Sequence, residues 1–248
     1  LTTAQTTEEQ RAFDEMQANI RDGYYHVAAQ VSGRNLVSRF PDNPESYYLY
    51  AYALYMIGDI GGAREQLDIA MRLSSQVSAR YDHLNGLLRA AEGDVSGALR
   101  ILQNAFIRSQ DYIVAMDWGR IAWQAGSYAD ALNAFRAASQ TEIGQRELWP
   151  HLNRGRILKS LGRYEEAIDA FRTAIDIFDA YDSQPMGASG APQLPSPGYV
   201  EAYYRLGEIY EILGDISLAR INYQAARNSD PNYEPAVNAL DRLARRAP

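Results

Sequence analysis

The sequence predicts an all-α chain: a right-handed α-solenoid of about six helix hairpins, closed by a C-terminal capping helix. Three observations lead there. Glycine, alanine, a bulky residue and a second alanine recur in one frame five times. The sets are Gly58/Ala63/Leu67/Ala70, Gly93/Ala98/Leu102/Ala105, Gly126/Ala131/Phe135/Ala138, Gly162/Ala167/Phe171/Ala174 and Gly214/Ala219/Tyr223/Ala226. The first four glycines stand 35, 33 and 36 residues apart, and the fifth follows after 52. Around them apolar residues return every three or four positions, the period of a helix; Tyr47, Tyr50, Ala51 and Leu54 form one such stripe.

Each glycine marks the stop of one helix and the start of the next. At Gly162 the chain can take the left-handed conformation of a helix C-terminus without a Cβ clash. Ala167 and Ala174 keep the inner face of the following helix thin, so it lies close to the helix carrying Gly155, while Phe171 fills the space beside them. A small residue precedes each frame glycine by seven positions: Ala51, Gly86, Gly119, Gly155 and Gly207. A single hairpin leaves apolar faces open, so neighbouring hairpins must cover them.

These residues resemble the tetratricopeptide repeat, a family of paired helices with a 34-residue period and small residues at both helix-crossing points. The stretch "YYRLGEIYEILGDISLARINYQAARNSDPN" is the fullest match, carrying Leu206-Gly207, Tyr210, Ala219, Tyr223, Ala226 and Asp230-Pro231. The resemblance implies units at 10–43, 44–77, 79–112, 112–145, 148–181 and 200–233. Residues 1–9 are then an N-terminal extension. The first unit departs from the pattern, with Gln17 and Gly33 where a small and a bulky residue are expected. Residues 234–248 begin another helix, with Ala236, Leu240 and Leu243 on one face and Arg242, Arg245 and Arg246 offered to solvent, as a solubilising cap requires. Between the fifth and sixth units, 182–199 is rich in Pro, Gly and Ser and predicts a flexible surface loop. Its "PQLPSP" is compatible with polyproline II, although a plain linker accounts for it as well.

Composition narrows the functional classes. A formal charge of −7 over 248 residues argues against a general nucleic-acid binder, which needs a basic stripe for phosphates. The absence of cysteine excludes disulfides, iron–sulfur clusters and thiolate metal sites within this sequence. No apolar run approaches the roughly 18 residues of a transmembrane helix. His26, His83 and His151 fall in separate units without ligand spacing. "GDIGGA" at 58–63 has neither a preceding strand nor a following lysine, so it is not a phosphate loop. The expectation is a non-enzymatic chain that needs no cofactor and no metal.

In the resembling family the first helices line a concave face, and ligand contacts come from fixed positions along them. Carried over residue by residue, the second unit offers Tyr48, Tyr52 and Tyr55, and the third Arg80, His83 and Leu87. The fourth offers Met116, Arg120, Trp123 and Gln124, the fifth Trp149, Leu152, Arg156 and Lys159, and the sixth Tyr204, Glu208 and Glu211. Arg120, Arg156 and Lys159 are expected to gather near Trp123 and Trp149, a patch suited to a carboxylate-bearing peptide. Against this stands plain packing: tyrosines and tryptophans filling space between units, and arginines paired with acids on adjacent helices. The lysine/asparagine set that holds a terminal carboxylate in chaperone-tail-binding repeats is absent from the matching positions.

The expected function is a protein–protein adaptor that binds a partner protein or peptide in the concave groove, with no nucleic-acid partner. The alternative is a structural subunit packing through its ends or convex surface. The overall form also resembles bacterial envelope repeat lipoproteins of pilus and outer-membrane assembly. Those carry a lipidated N-terminal cysteine, which this sequence lacks. The opening "LTTAQTTEEQ", without initiator methionine, is the start expected of a processed or trimmed terminus. A periplasmic or envelope location is therefore the expectation, with the cytoplasm as the alternative; the pattern specifies no oligomeric state.

Overall fold

A computed structural model describes residues 3–76, 78–181 and 196–245, and all of their regular structure is helical. The chain divides into two compact units, Leu1–Ser109 and Gln110–Pro248.

The N-terminal unit opens with α1 (Thr3–Arg21), which already occupies most of the stretch expected as an extension. Its partner is an irregular helix made of α2 (Tyr25–Val27), a π-helical stretch (Ala28–Gly33) and α3 (Arg34–Arg39). The missing bulk at Gly33 has a physical reason: a Cβ there would stand 2.4 Å from Cδ2 of Tyr50, whose ring takes up the space. Two regular hairpins follow, α4 (Pro44–Met56) with α5 (Ile60–Leu73), and α6 (Ala79–Ala91) with α7 (Val95–Ser109). Asn43 starts α4 by accepting the Glu45 N–H at 3.0 Å, with Pro44 at the first helical position. Asp59 likewise starts α5, accepting the Gly62 N–H at 2.9 Å. Met16, Leu36, Leu67, Leu84 and Leu88 are buried in the core of this unit. Each such side chain removed from water stabilises the fold by about 2 kcal/mol.

The C-terminal unit holds three hairpins and the cap. They are α8 (Tyr112–Gln124) with α9 (Tyr128–Gln140), α10 (Trp149–Ser160) with α11 (Tyr164–Tyr181), and α12 (Pro197–Ile212) with α13 (Ile216–Ser229). The closing helix is α14 (Glu234–Arg245). Between α10 and α11, Gly162 has φ +72°. There the Arg163 N–H reaches back to the Leu158 carbonyl at 2.9 Å and the Gly162 N–H to that of Lys159 at 3.0 Å. This double closure satisfies carbonyls that a helix end leaves open. Phe171, Leu152, Leu206, Ile209, Tyr223 and Leu243 share one buried cluster.

One boundary and one side chain differ from the sequence reading. Helix α12 starts at Pro197, inside the segment expected to be loop through 199, because proline suits a first helical position and Gly198 lets the turn close on α10. A Cβ at 198 would lie 2.6 Å from Leu148 Cδ1. The rest of that expected loop, 182–195, lies outside the described residues. In α14, Arg242 is not simply offered to solvent but donates to Glu211 Oε2 at 2.6 Å. Among the described residues no helix is long and apolar enough to cross a membrane.

Candidate partner-binding cleft

In the C-terminal unit the first helices of three successive hairpins, α8, α10 and α12, border an open cleft of ≈ 560 Å³. Trp123 enters from the last turn of α8. Arg156, Lys159 and Ser160 come from α10, and Glu201, Arg205 and Ile212 from α12. Helical spacing explains the sets: Arg156 and Lys159 are three apart, and Glu201, Arg205, Glu208 and Ile212 follow one stripe of α12. Ile212 is 55% exposed, a large apolar side chain left open at the end of its helix.

The charges form a bridged network. The Arg156 guanidinium meets both carboxylate oxygens of Glu201, with Nε at 2.9 Å from Oε1, and its third nitrogen donates to Asn153 at 2.8 Å. Arg205 donates from Nε to the same Glu201 oxygen at 3.0 Å and from a terminal nitrogen to Glu208 at 2.9 Å. Lys159 Nζ sits 3.0 Å from Glu208. Burial opposes ionisation of Glu201, but the hydrogen bonds and charge of Arg156 and Arg205 outweigh it and hold its carboxyl below the ordinary glutamate value. Three cations thus face two carboxylates, and one positive charge is left over.

Of the residues singled out in the sequence, Trp123, Arg156 and Lys159 converge here, with Glu208 bound into the network behind them. Arg120 is drawn back onto Asp117 of its own helix at 2.8 Å and does not line the cleft. Met116 is half-buried on α8. Trp149 packs against the buried cluster around Leu152, itself fully buried rather than presented to a ligand. Tyr204 is taken up in packing, its ring centroid 5.6 Å from those of both Tyr223 and Tyr233. Glu211 is engaged by the Tyr223 hydroxyl at 2.9 Å and by Arg242.

The remaining candidates belong to the N-terminal unit. Tyr48 stacks on Tyr81 with centroids 5.0 Å apart and carries the Arg80 guanidinium 4.9 Å above its ring. Burial pushes its hydroxyl up to about 12. Arg80 in turn donates to Glu45 at 2.7 Å. Tyr52 and Tyr55 lie half-buried against the N-terminal core, His83 is half-buried on α6, and Leu87 is buried.

Glu201 and Arg205 were missed from sequence. Glu201 had a signal, since it holds the second position of the sixth unit, one of the contact positions implied by the resemblance. Arg205 falls outside those contact positions, and its signal was its spacing, four residues after Glu201 and three before Glu208 on the same stripe. Among the described residues no group of three or more His, Asp or Glu side chains is placed to hold a metal ion.

The hairpin geometry and the sequence frame coincide with a known family. Tetratricopeptide-repeat profiles match residues 116–185 and 200–245. Those two stretches are tetratricopeptide repeats. The chain's repeats superpose on several solved ones. A structure described as PilW, a widely conserved type IV pilus biogenesis factor, matches with TM-score 0.67 and 14% identity over 97% of this chain and 100% of that one. The structure of Pseudomonas aeruginosa pilF matches with TM-score 0.66 and 14% identity, over 97% and 100%. YrrB, a repeat protein described as having an unusual peptide-binding site, matches with TM-score 0.60 and 16% identity over 85% and 98%. At these identities the likeness is one of fold. No curated protein sequence matches significantly.

Proposed function

We propose that the chain is a non-enzymatic adaptor that seats a segment of a partner protein in the cleft on the first-helix face of its C-terminal unit. One observation carries the reading: Trp123 and the exposed Ile212 flank a charged floor in an open cavity that three successive repeats build together. A half-buried indole beside donors held in place is the kind of anchor that dominates protein–protein binding. The peptide-binding site named for YrrB supports the reading by fold analogy, and the pilus-biogenesis description of PilW supports an envelope-assembly setting in the same way.

The test is capture of partners from native extract by the intact chain, by a Trp123→Ala variant, and by an Ile221→Ser control outside the cleft. A protein retained by the intact chain and the control but lost by Trp123→Ala identifies the partner. Equal capture by all three would remove the cleft from consideration.

A further inference from the structure

We infer that the cleft takes a segment presenting one carboxylate beside an apolar side chain, and that Glu201 is a built-in competitor for that carboxylate's place. The inference rests on the cleft being the partner's seat. Arg156, Lys159 and Arg205 supply three positive charges, and Glu201 and Glu208 supply two negative ones. These groups are partly buried, so the surplus charge is less screened than it would be in open water. One more anion brings the cluster to neutrality. A positive surplus at this spot is a local property, because the chain as a whole carries −7.

The geometry names the competitor. The Glu201 carboxylate meets Arg156 side-on with both oxygens and shares one of them with Arg205. A guanidinium fork donates two parallel N–H bonds to a planar carboxylate in this way, the geometry that favours arginine over lysine for the role. An incoming carboxylate therefore seeks the donors that Glu201 holds, and binds by adding to the cluster or by exchanging with it. A cationic segment meets a surplus of like charge and finds both acids engaged. Trp123 and Ile212 provide the apolar walls for the neighbouring side chain.

The experiment uses three fluorescein-labelled peptides of equal length. One alternates phenylalanine with glutamate and is amidated, one alternates phenylalanine with lysine and is amidated, and one alternates phenylalanine with glycine and keeps a free terminal carboxylate. Anisotropy gives the affinity for the intact chain, for Glu201→Gln and for Trp123→Ala. The glutamate peptide is expected to bind the intact chain more tightly than the lysine peptide. Its affinity should rise about fivefold in Glu201→Gln, which removes a competing charge, and fall in Trp123→Ala. Binding of the free-terminus peptide with the same response to Glu201→Gln makes a chain end the carboxylate source; binding of the glutamate peptide alone makes it a side chain.

Preference for the lysine peptide, or no gain in Glu201→Gln, overturns the carboxylate assignment while Trp123 dependence keeps the cleft as the seat. Binding indifferent to Trp123→Ala overturns the seat and the inference together, and so does binding of none of the peptides. If Glu201→Gln fails to fold by circular dichroism, salt decides on the intact chain. Affinity for the glutamate peptide must then drop between about 50 and about 300 mM salt, and a flat response overturns the inference.

Discussion

Gly155 on α10 lies directly beneath the ring of Phe171 on α11: a Cβ at 155 would stand 2.6 Å from Phe171 Cε1. The same approach recurs at Gly86 under Leu102, Gly119 under Phe135 and Gly207 under Tyr223, with 2.5 to 2.6 Å to the nearest side-chain atom. Hairpins close at these points because one helix has no side chain where the other has its largest. Phe171 is fully buried among neighbours and cannot retreat. Gly155→Ala should therefore destabilise the chain by about 2 kcal/mol through overpacking, read as a lower midpoint in urea unfolding. An unchanged midpoint would show that the ring can move aside.

Gly162 offers the contrasting case on the same hairpin. A Cβ there meets nothing within 4 Å, but the backbone sits at φ +72°. Gly162→Ala should cost about 1 kcal/mol, from left-handed strain alone. The loss should be smaller than at Gly155, and reversal of that order would contradict both assignments.

His151 gives the fold an acid-sensitive point. Burial, helped by the charge of Arg154, lowers its pKa to about 4 from the ordinary 6.5. Between those values the unfolded chain binds the proton and the folded chain does not, so stability falls as pH drops through that window. The ring is partly exposed, which reduces the expected loss to about 1–2 kcal/mol. Denaturant unfolding at pH 7 and at pH 4.5 should show a smaller loss in His151→Gln than in the intact chain. Equal losses in both would assign the acid response to other groups.

Tyr223 spans packing and charge at once: its buried ring lies against Gly207 while its hydroxyl donates to Glu211, which Arg242 of the cap also holds. Tyr223→Phe keeps the ring and removes one donor, and should cost about 1 kcal/mol. If Arg242→Ala then adds its full separate loss, the two contacts act independently; a smaller added loss would mark them as one coupled unit.

The hairpins were legible in the sequence because their requirement is local and repeated. A glycine at each helix end and a small residue facing a bulky one leave the same trace five times. The irregular first unit was less legible, since Gly33 answers to Tyr50 in the next hairpin and not to its own frame. In the cleft, helical spacing brought Trp123, Arg156 and Lys159 to one face, but spacing says nothing of what stands opposite. The Arg156–Glu201 pair joins residues 45 apart, and only the packed register of α10 against α12 brings them together. Arg120 illustrates the converse, because an acid three residues away on its own helix satisfied it before any neighbour could. Tyr48 on α4 is likewise taken up by neighbours, stacked on Tyr81 and covered by the Arg80 guanidinium.

Among 24 basic residues only Lys159 is a lysine, and it stands on the wall of the cleft. Guanidinium groups are poor nucleophiles at neutral pH, whereas an ε-amine acylates readily once it loses its proton. Ordinary amine-directed reagents thus find their sole side-chain target inside the proposed seat, without any engineered cysteine. A dye attached there becomes a reporter of occupancy. A carbodiimide can likewise weld this nitrogen to a visiting carboxylate as an amide, so mass spectrometry of the joined fragments would name the visitor and the residue it presented.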